Sequence, residues 1–350
     1  MSEISERQKI ILALVIQEYV QQVQPISSKR LVDNYHLEYS SATIRNEMAF
    51  LTDVGYLQQP YTSAGRIPTE DGYRYFVSQL MGHTSLPSET RQTIQHQFYQ
   101  ARRDIDQWIR LAASVLARQS HGASLVTSLH SQQARLKRLE VISTHGRQAL
   151  MVLVLEDGKI HQQLLKLSEP FSQESINAVT AWINKVAYRK DADAISKNIK
   201  LVDDDLKKDI LKLAVDAMRS IDDVLTGNFY RDGLANVLTE PEFSEPSVAH
   251  RTLRFWEERS QLENLLLETV LSPDTSGIHV LIGGEGTWED LSECAVVLSR
   301  YGVPGVASGA LGVLGPTRMS YAHTISTVQF VANLLSDLVG DTLSNERYDG

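Results

Sequence analysis

At 350 residues, with 42% hydrophobic and 22% charged positions, the chain is long enough for two or three domains and too apolar to be disordered. Its formal charge of −9 excludes a protein that wraps nucleic acid over its whole surface, since phosphate binding is driven by Lys and Arg, yet leaves room for one compact DNA-reading module. A single Cys294 excludes an internal disulfide, and no stretch approaches the roughly 20 apolar residues of a membrane span, so a cytoplasmic protein is expected.

The first twenty residues, MSEISERQKIILALVIQEYV, lack the basic start and small-residue cleavage site of a secretory signal, and Glu18 interrupts their apolar run. Ile10, Leu14, Ile16 and Val20 recur at helical spacing up to Pro25, which predicts a first helix over 6–23. A second fits 27–35, capped by Ser27 or Ser28, with Leu31 facing inward.

A third helix starts near Ser41 in SATIRNEMAFLTDVGYL. Ile44, Met48 and Leu51 form one buried stripe, and Gly55 supplies the left-handed residue that ends the helix. Thr43, Arg45, Asn46 and Glu47 therefore lie mostly off the stripe, in the first two turns. A polar, donor-rich start on a helix held by its apolar side is what major-groove readout needs: Arg pairs with guanine edges, Asn with adenine, and Ser or Thr with bases or phosphates.

The next segment, GYLQQPYTSAGRIPTEDGY, predicts a strand at 56–59, a turn at 62–66, a return strand at Ile67 and Pro68, and a helix capped by Thr69 that runs through Tyr73, Phe76 and Leu80. Arg66 is expected at the hairpin tip, against phosphate or the minor groove. The first 82 residues thus read as a winged helix. Thr43, Arg45 and Asn46 are the expected base readers, Ser41 helps position the helix, and Ser63 and Arg66 anchor the wing.

Residues 1–80 carry seven Lys/Arg against nine Asp/Glu, and 81–150 carry nine against four, so the basic excess lies beyond the first module. A short linker at 82–87 leads to a predicted long helix over 88–119. Its apolar positions Ile94, Phe98, Ala101, Ile105, Trp108, Ala112 and Val115 step by 4 and 3, the spacing of a coiled coil, although Ile109 and Leu116 broaden the stripe toward a domain-packed helix. Arg102, Arg103 and Arg110 on it read as solvated surface.

From Arg138, RLEVIS and QALMVLVLEDGKIHQQLLKL predict strands turning at Asp157-Gly158, and a helix fits 173–186. Residues 187–250 are charged and helical, with Leu206, Ile210, Leu213, Ala217 and Ile221 on one stripe, and interrupt the β-rich texture as an insertion would. Further on, GIHVLIGG predicts a strand, WEDLSECAVVLSRY a helix, VPGVASGALGVLG a strand pair and SYAHTISTVQFVANLLSDLV a final helix. These elements make an α+β domain with a largely antiparallel sheet.

Other constellations carry little chemistry. IHVLIGGEGTWEDL sits where a phosphate loop would, but Glu289 replaces the third Gly of GxGxxG, and Glu285 and Glu289 repel phosphate. The ten His show no metal-ligand spacing, Cys294 has no partner at zinc spacing and reads as a buried helix position, and no nucleophile signature is present, so neither a cofactor nor an enzyme is expected. In GPTRM, Thr317 is a candidate cap of the last helix, with Arg318 beside it where anions are often held; a structural turn is the simpler reading.

SSATIRNEM, PYTSAGRIPTEDGYRYF and GALGVLGPTRMSYAHTI together resemble the HrcA family of bacterial heat-inducible transcription repressors, over nearly the whole chain. The chain departs from that family at Tyr61, where its segment reads PHTSAGRIPT, and at Thr52-Asp53, where an acidic pair is usual. The resemblance implies a multidomain α+β chain: a winged helix-turn-helix at 1–82, a linker and long helix at 83–119, a discontinuous GAF-like domain at 120–186 and 251–345, and an inserted dimerising domain at 187–250. It also implies a homodimer on an inverted-repeat operator of chaperone operons, and a chaperonin of the GroEL type that keeps the repressor active. Three rivals stay open: a repressor sensing a small molecule through the GAF-like domain, a nucleotide enzyme using Gly283 to Gly286, and a winged-helix protein-interaction module.

Overall fold

The computed structural model describes residues 4–82, 85–101, 104–131, 134–156, 158, 160–199, 202, 204–223, 228–271, 277–303 and 306–346. Part of the expected linker, Arg102, Arg103 and the turn residue Asp157 lie outside them. Contacts divide the chain into two compact units, Met1–Ser128 with Phe229–Tyr301 and Ala310–Gly350, and Leu129–Asn228 with Gly302–Gly309.

The first unit opens with α1 (Glu6–Gln22), α2 (Ser28–Tyr35) and α3 (Ser41–Asp53). Each begins on a serine N-cap: Ser5, Ser27 and Ser40 accept from the backbone N–H of the third residue onward, which satisfies a donor that the helix cannot. Gly55, at φ +88°, terminates α3 as expected. Val15 of α1, Leu31 of α2 and Ile44, Met48 and Leu51 of α3 are buried where these helices pack; each such side chain contributes roughly 1.5 to 3 kcal/mol. A hairpin of β1 (Leu57–Gln58) and β2 (Ile67–Pro68) follows, pairing Leu57 with Pro68. Thr69 then caps α4 (Glu70–Tyr75), which continues as a wider turn over Phe76–Leu80.

The expected helix over 88–119 is two helices, α5 (Ser88–Gln100) and α6 (Ile105–Ser120). Ala101 turns extended, with ψ 144°, and Asp104 caps the second helix by accepting from the N–H of Asp106. A polar side chain able to compete for the backbone thus overrides an apolar pattern that runs through the break. β3 (Ala123–Thr127) and β4 (His130–Ser131) come next.

The second unit holds β5 (Leu136–His145), β6 (Gln148–Leu155) and β7 (Ile160–Lys166), then α7 (Gln173–Val186), α8 (Ala192–Ile199) and α9 (Asp205–Asp223). One face of this antiparallel sheet, with Leu139, Val141, Met151, Leu153 and Leu165, joins Ile176 and Ile183 of α7 and Ile210 and Met218 of α9 in one core. The change of texture at 187 therefore falls inside a packed unit, because the strands and the charged helices bury each other. Asn184 of α7 receives the N–H of Leu139 at 2.7 Å and donates to its carbonyl at 2.8 Å, which closes an edge-strand site to further pairing.

The chain returns to the first unit with β8 (Phe229–Asp232), α10 (Leu234–Leu238), α11 (Pro246–Glu257), α12 (Arg259–Glu268), β9 (Ile278–Ile282), β10 (Cys294–Val303), β11 (Ala307–Pro316) and α13 (Tyr321–Glu346). The sheet order is β8-β3-β11-β10-β9, with β4 also on β11. Two expectations are corrected here. WEDLSECAVVLSRY is a short turn over Glu289–Leu291 followed by strand β10, and VPGVASGALGVLG contributes one strand, β11, in place of a pair. Both strands are buried on nearly every residue, so neither shows the alternation that marks a half-exposed strand.

Candidate nucleic-acid interface

The start of α3 presents a polar surface because its carboxylate is turned away. Glu47 is only 8% exposed and takes hydrogen bonds from Arg7 and, at 2.8 Å, from Gln8 Nε2, both on α1. The negative charge of Glu47 is thereby neutralised inside the module. Arg45 and Asn46 are exposed and bond to none of the described residues, so their donors are available to an outside partner.

A second buried acid fixes α2. Glu18 accepts from Arg30 Nε at 2.8 Å, Tyr35 Oη at 3.1 Å and Asn34 Nδ2 at 3.3 Å. Burial raises the pKa of its carboxyl, but these bonds outweigh that and hold it below its ordinary value. Ser28 of α2 and Ser41 of α3 then approach to 3.0 Å between hydroxyl oxygens, tying the two helix starts together.

The hairpin closes on the same edge. Arg66 exchanges backbone hydrogen bonds with Ile26, at 2.8 and 2.9 Å, and Gly65 permits the approach: a Cβ there would meet the Ile26 carbonyl oxygen at 2.2 Å. Arg66 is consequently part of the hairpin base and not its tip, as the sequence had suggested. Its Nε donates to Thr52 Oγ1 at 2.9 Å. The tip is formed by exposed Tyr61, Thr62 and Ser63.

These pieces enclose a cleft of about 330 Å³ that brings together four of the six expected site residues, Ser41, Arg45, Ser63 and Arg66. Thr43 and Asn46 are not part of its wall. The Thr43 hydroxyl lies 2.9 Å from Ser40 Oγ at the helix cap, while Asn46 is exposed on the same helix. Sequence reasoning missed Ser27, Ser28 and Lys29, which complete the wall. The signal was the serine pair opening α2, which had been read as a cap and nothing more.

Elsewhere the candidate sites dissolve. The loop Gly283–Gly286 receives the Glu70 side chain: a Cβ on Gly283 would lie 2.2 Å from the Glu70 Cδ. A carboxylate thus stands where a nucleotide phosphate would have to go. Arg318 donates to Glu242 at 2.6 Å and also to Glu240, so its anions are the protein's own. Cys294 is buried on a strand, in place of the expected helix, and burial pushes its thiol up to about 12, which keeps it protonated and unreactive. Among the described residues no cluster of three His, Cys, Asp or Glu could hold a metal, and no helix is long and apolar enough to cross a membrane.

Unpaired donors at a helix start, beside a hairpin and a cleft lined by cations and hydroxyls, suit a polyanion with readable edges, and the class so defined is the DNA-binding transcription regulators. The family described as HrcA protein C terminal domain matches residues 106–325. Two proteins named "Heat-inducible transcription repressor HrcA" are similar throughout: that of Roseiflexus castenholzii (strain DSM 13941 / HLO8) is 43% identical over 347 residues, covering 97% of this chain and 96% of its own length, and that of Chloroflexus aggregans (strain MD-66 / DSM 9485) is 39% identical over 355 residues, covering 97% and 93%. A solved structure described as "Crystal structure of a hypothetical protein at 2.2 A resolution" shares the fold at a TM-score of 0.58, with 23% identity and coverage of 97% of this chain and 98% of that one. The chain belongs to the HrcA family of heat-inducible transcription repressors.

Proposed function

We propose that this protein represses heat-shock (chaperone) operons by binding an inverted-repeat operator as a homodimer, with residues 1–82 acting as a winged helix-turn-helix. The observation that carries this reading is the pair of exposed, unpartnered donors Arg45 and Asn46 on α3, whose carboxylate Glu47 is turned inward. Thr43, Arg45 and Asn46 read base edges, Ser41 positions the helix, and Ser63 and Arg66 anchor the wing. Repression is steric, by occupation of promoter DNA.

Twofold symmetry matches two such modules to two half-sites. The outer face of the β5–β7 sheet supports self-association. Its register aligns Ile142 with Leu150 and Leu150 with Leu164, and Ile142, Ile160 and Leu164 are 50%, 63% and 68% exposed. Exposed apolar side chains aligned across three strands favour an interaction surface, here beside the polar Arg138, Glu140 and Gln162 of the same face. The six-stranded sheet with its flanking helices is read as the GAF-like domain. Dependence on a GroEL-type chaperonin rests on the family resemblance, and it requires that added chaperonin raise the operator-binding fraction.

The test is binding of wild type and Arg45→Ala to a chaperone-operon inverted repeat and to a scrambled duplex, at two salt concentrations. The expected result is a specific complex lost on substitution, each base contact being worth about 1 to 3 kcal/mol. Equal weak binding to both duplexes by folded wild type would overturn the reading.

A further inference from the structure

The cleft beside α3 contains cationic chemistry that base readout does not use. Lys29, at the start of α2, lines it, is exposed, and bonds to none of the described residues. Arg66 lines the opposite side and is held by a neutral partner: Thr52 gives its hydroxyl proton to the Met48 carbonyl at 2.8 Å, which leaves an oxygen lone pair for the Arg66 Nε at 2.9 Å. The guanidinium is thus oriented without being neutralised. No carboxylate stands among the described residues that line the cleft, and Glu47 of α3 is occupied by Arg7 and Gln8. The walls are set by the backbone pairing of Ile26 with Arg66 and by the contact of the Ser28 and Ser41 hydroxyls.

Three cations, Lys29, Arg45 and Arg66, with serine hydroxyls and no acid in a cleft of about 330 Å³ select an oxyanion. We propose that this cleft grips one phosphate of the DNA backbone, with Lys29 and Arg66 as its cations and Thr52 as the positioning residue for Arg66. The assignment rests on the DNA reading above, because Arg45 and Ser63 line the same cleft and would bring a duplex to it. It adds a contact that carries no sequence information and sets the register in which α3 meets the bases.

The experiment compares full-length wild type, Lys29→Ala, Lys29→Arg and Thr52→Val on the operator and scrambled duplexes, between about 50 and 200 mM salt. Lys29→Ala is expected to weaken both duplexes by one common factor, about fivefold near 0.15 M salt, and to make the slope of log K against log salt shallower by about 0.9. Lys29→Arg keeps the wild-type slope. Thr52→Val, which removes no charge, weakens both duplexes while thermal stability is retained. An unchanged slope in Lys29→Ala, or a loss confined to the operator, overturns the proposal while leaving the DNA reading intact. Inorganic phosphate is the control arm: if it stabilises wild type but not Lys29→Ala, and the DNA slopes are equal, the cleft is a free-anion site and the proposal is wrong. If wild type itself fails to separate operator from scrambled DNA, the underlying reading falls and this proposal falls with it.

Discussion

Arg74 donates from Nη2 to the carbonyl oxygen of Ile282 over 2.7 Å, although 208 residues separate them in sequence. The same guanidinium binds Asp71 at 2.8 Å and Glu70 at 2.9 Å, and its Nε lies 3.7 Å from Glu285. Tyr73 adds a ring contact with Tyr321, with centroids 5.7 Å apart. The N-terminal module is therefore fastened to the end of β9 and the start of α13 by one short helix, α4.

Arg74→Ala should loosen that fastening. The side chain is partly exposed, so screening limits the loss to about 1 kcal/mol. Hydrogen exchange is expected to quicken at the backbone of α4 and of 283–286, and affinity for a full inverted repeat should fall more than affinity for an isolated half-site. Equal exchange in variant and wild type would remove the fastening role.

Gly65→Ala tests the hairpin base. The added Cβ would meet the Ile26 carbonyl oxygen at 2.2 Å and carbon at 2.4 Å, so hairpin or helix must shift. A destabilisation of about 1 to 3 kcal/mol is expected, with weakened operator binding, read by thermal melting and by duplex titration.

Glu18 makes stability depend on acidity. Its carboxyl is held below the ordinary 4.5, so it contributes stability above that value and loses it as pH falls through the lower, folded-state value. Melting of wild type and Glu18→Gln across pH 7 to about 3 should show the largest difference at neutral pH and a converging pair of curves in acid. Parallel curves would contradict the tie to Arg30, Asn34 and Tyr35.

Leu164→Asp addresses self-association. At 68% exposure the residue is nearly free of the protein's own core, so the melting temperature at low concentration should hold while the sedimentation mass shifts from dimer toward monomer. A dimer that survives would move the interface off the β5–β7 face.

The N-terminal module was legible because its signals are local: the serines that open α2, Gly55 after α3, and Thr69 before α4 all act within one turn. Competing local contacts and non-local packing hid the rest. The apolar spacing through Ala101 and Ile105 suits one continuous helix, and what breaks it is the competing carboxylate of Asp104. Cys294 to Val303 holds strand-favouring Val296, Val297 and Tyr301, but two-sided burial erased the alternation that would have declared a strand. The tie of Arg66 to Thr52 depends on a hairpin folding back over α3, which residue spacing does not encode. Even so, four of the six expected site residues line one cleft: Ser41 and Arg45 because the polar start of α3 was visible as a departure from its own apolar stripe, and Ser63 and Arg66 because the turn residues marked the hairpin.

The inward turn of Glu47 bears on how the molecule searches for its target. With a net charge of −9, a duplex drifting past is repelled by most of what it meets, and fields fade over roughly 10 Å in about 0.1 M salt. At α3 the acid Glu47 is spent internally and the cation Arg45 is not, so attraction is available where readout occurs. Misoriented encounters are therefore discarded early, and the protein resists being soaked up by the bulk of the chromosome. An acidic body becomes an asset to a reader of one short sequence.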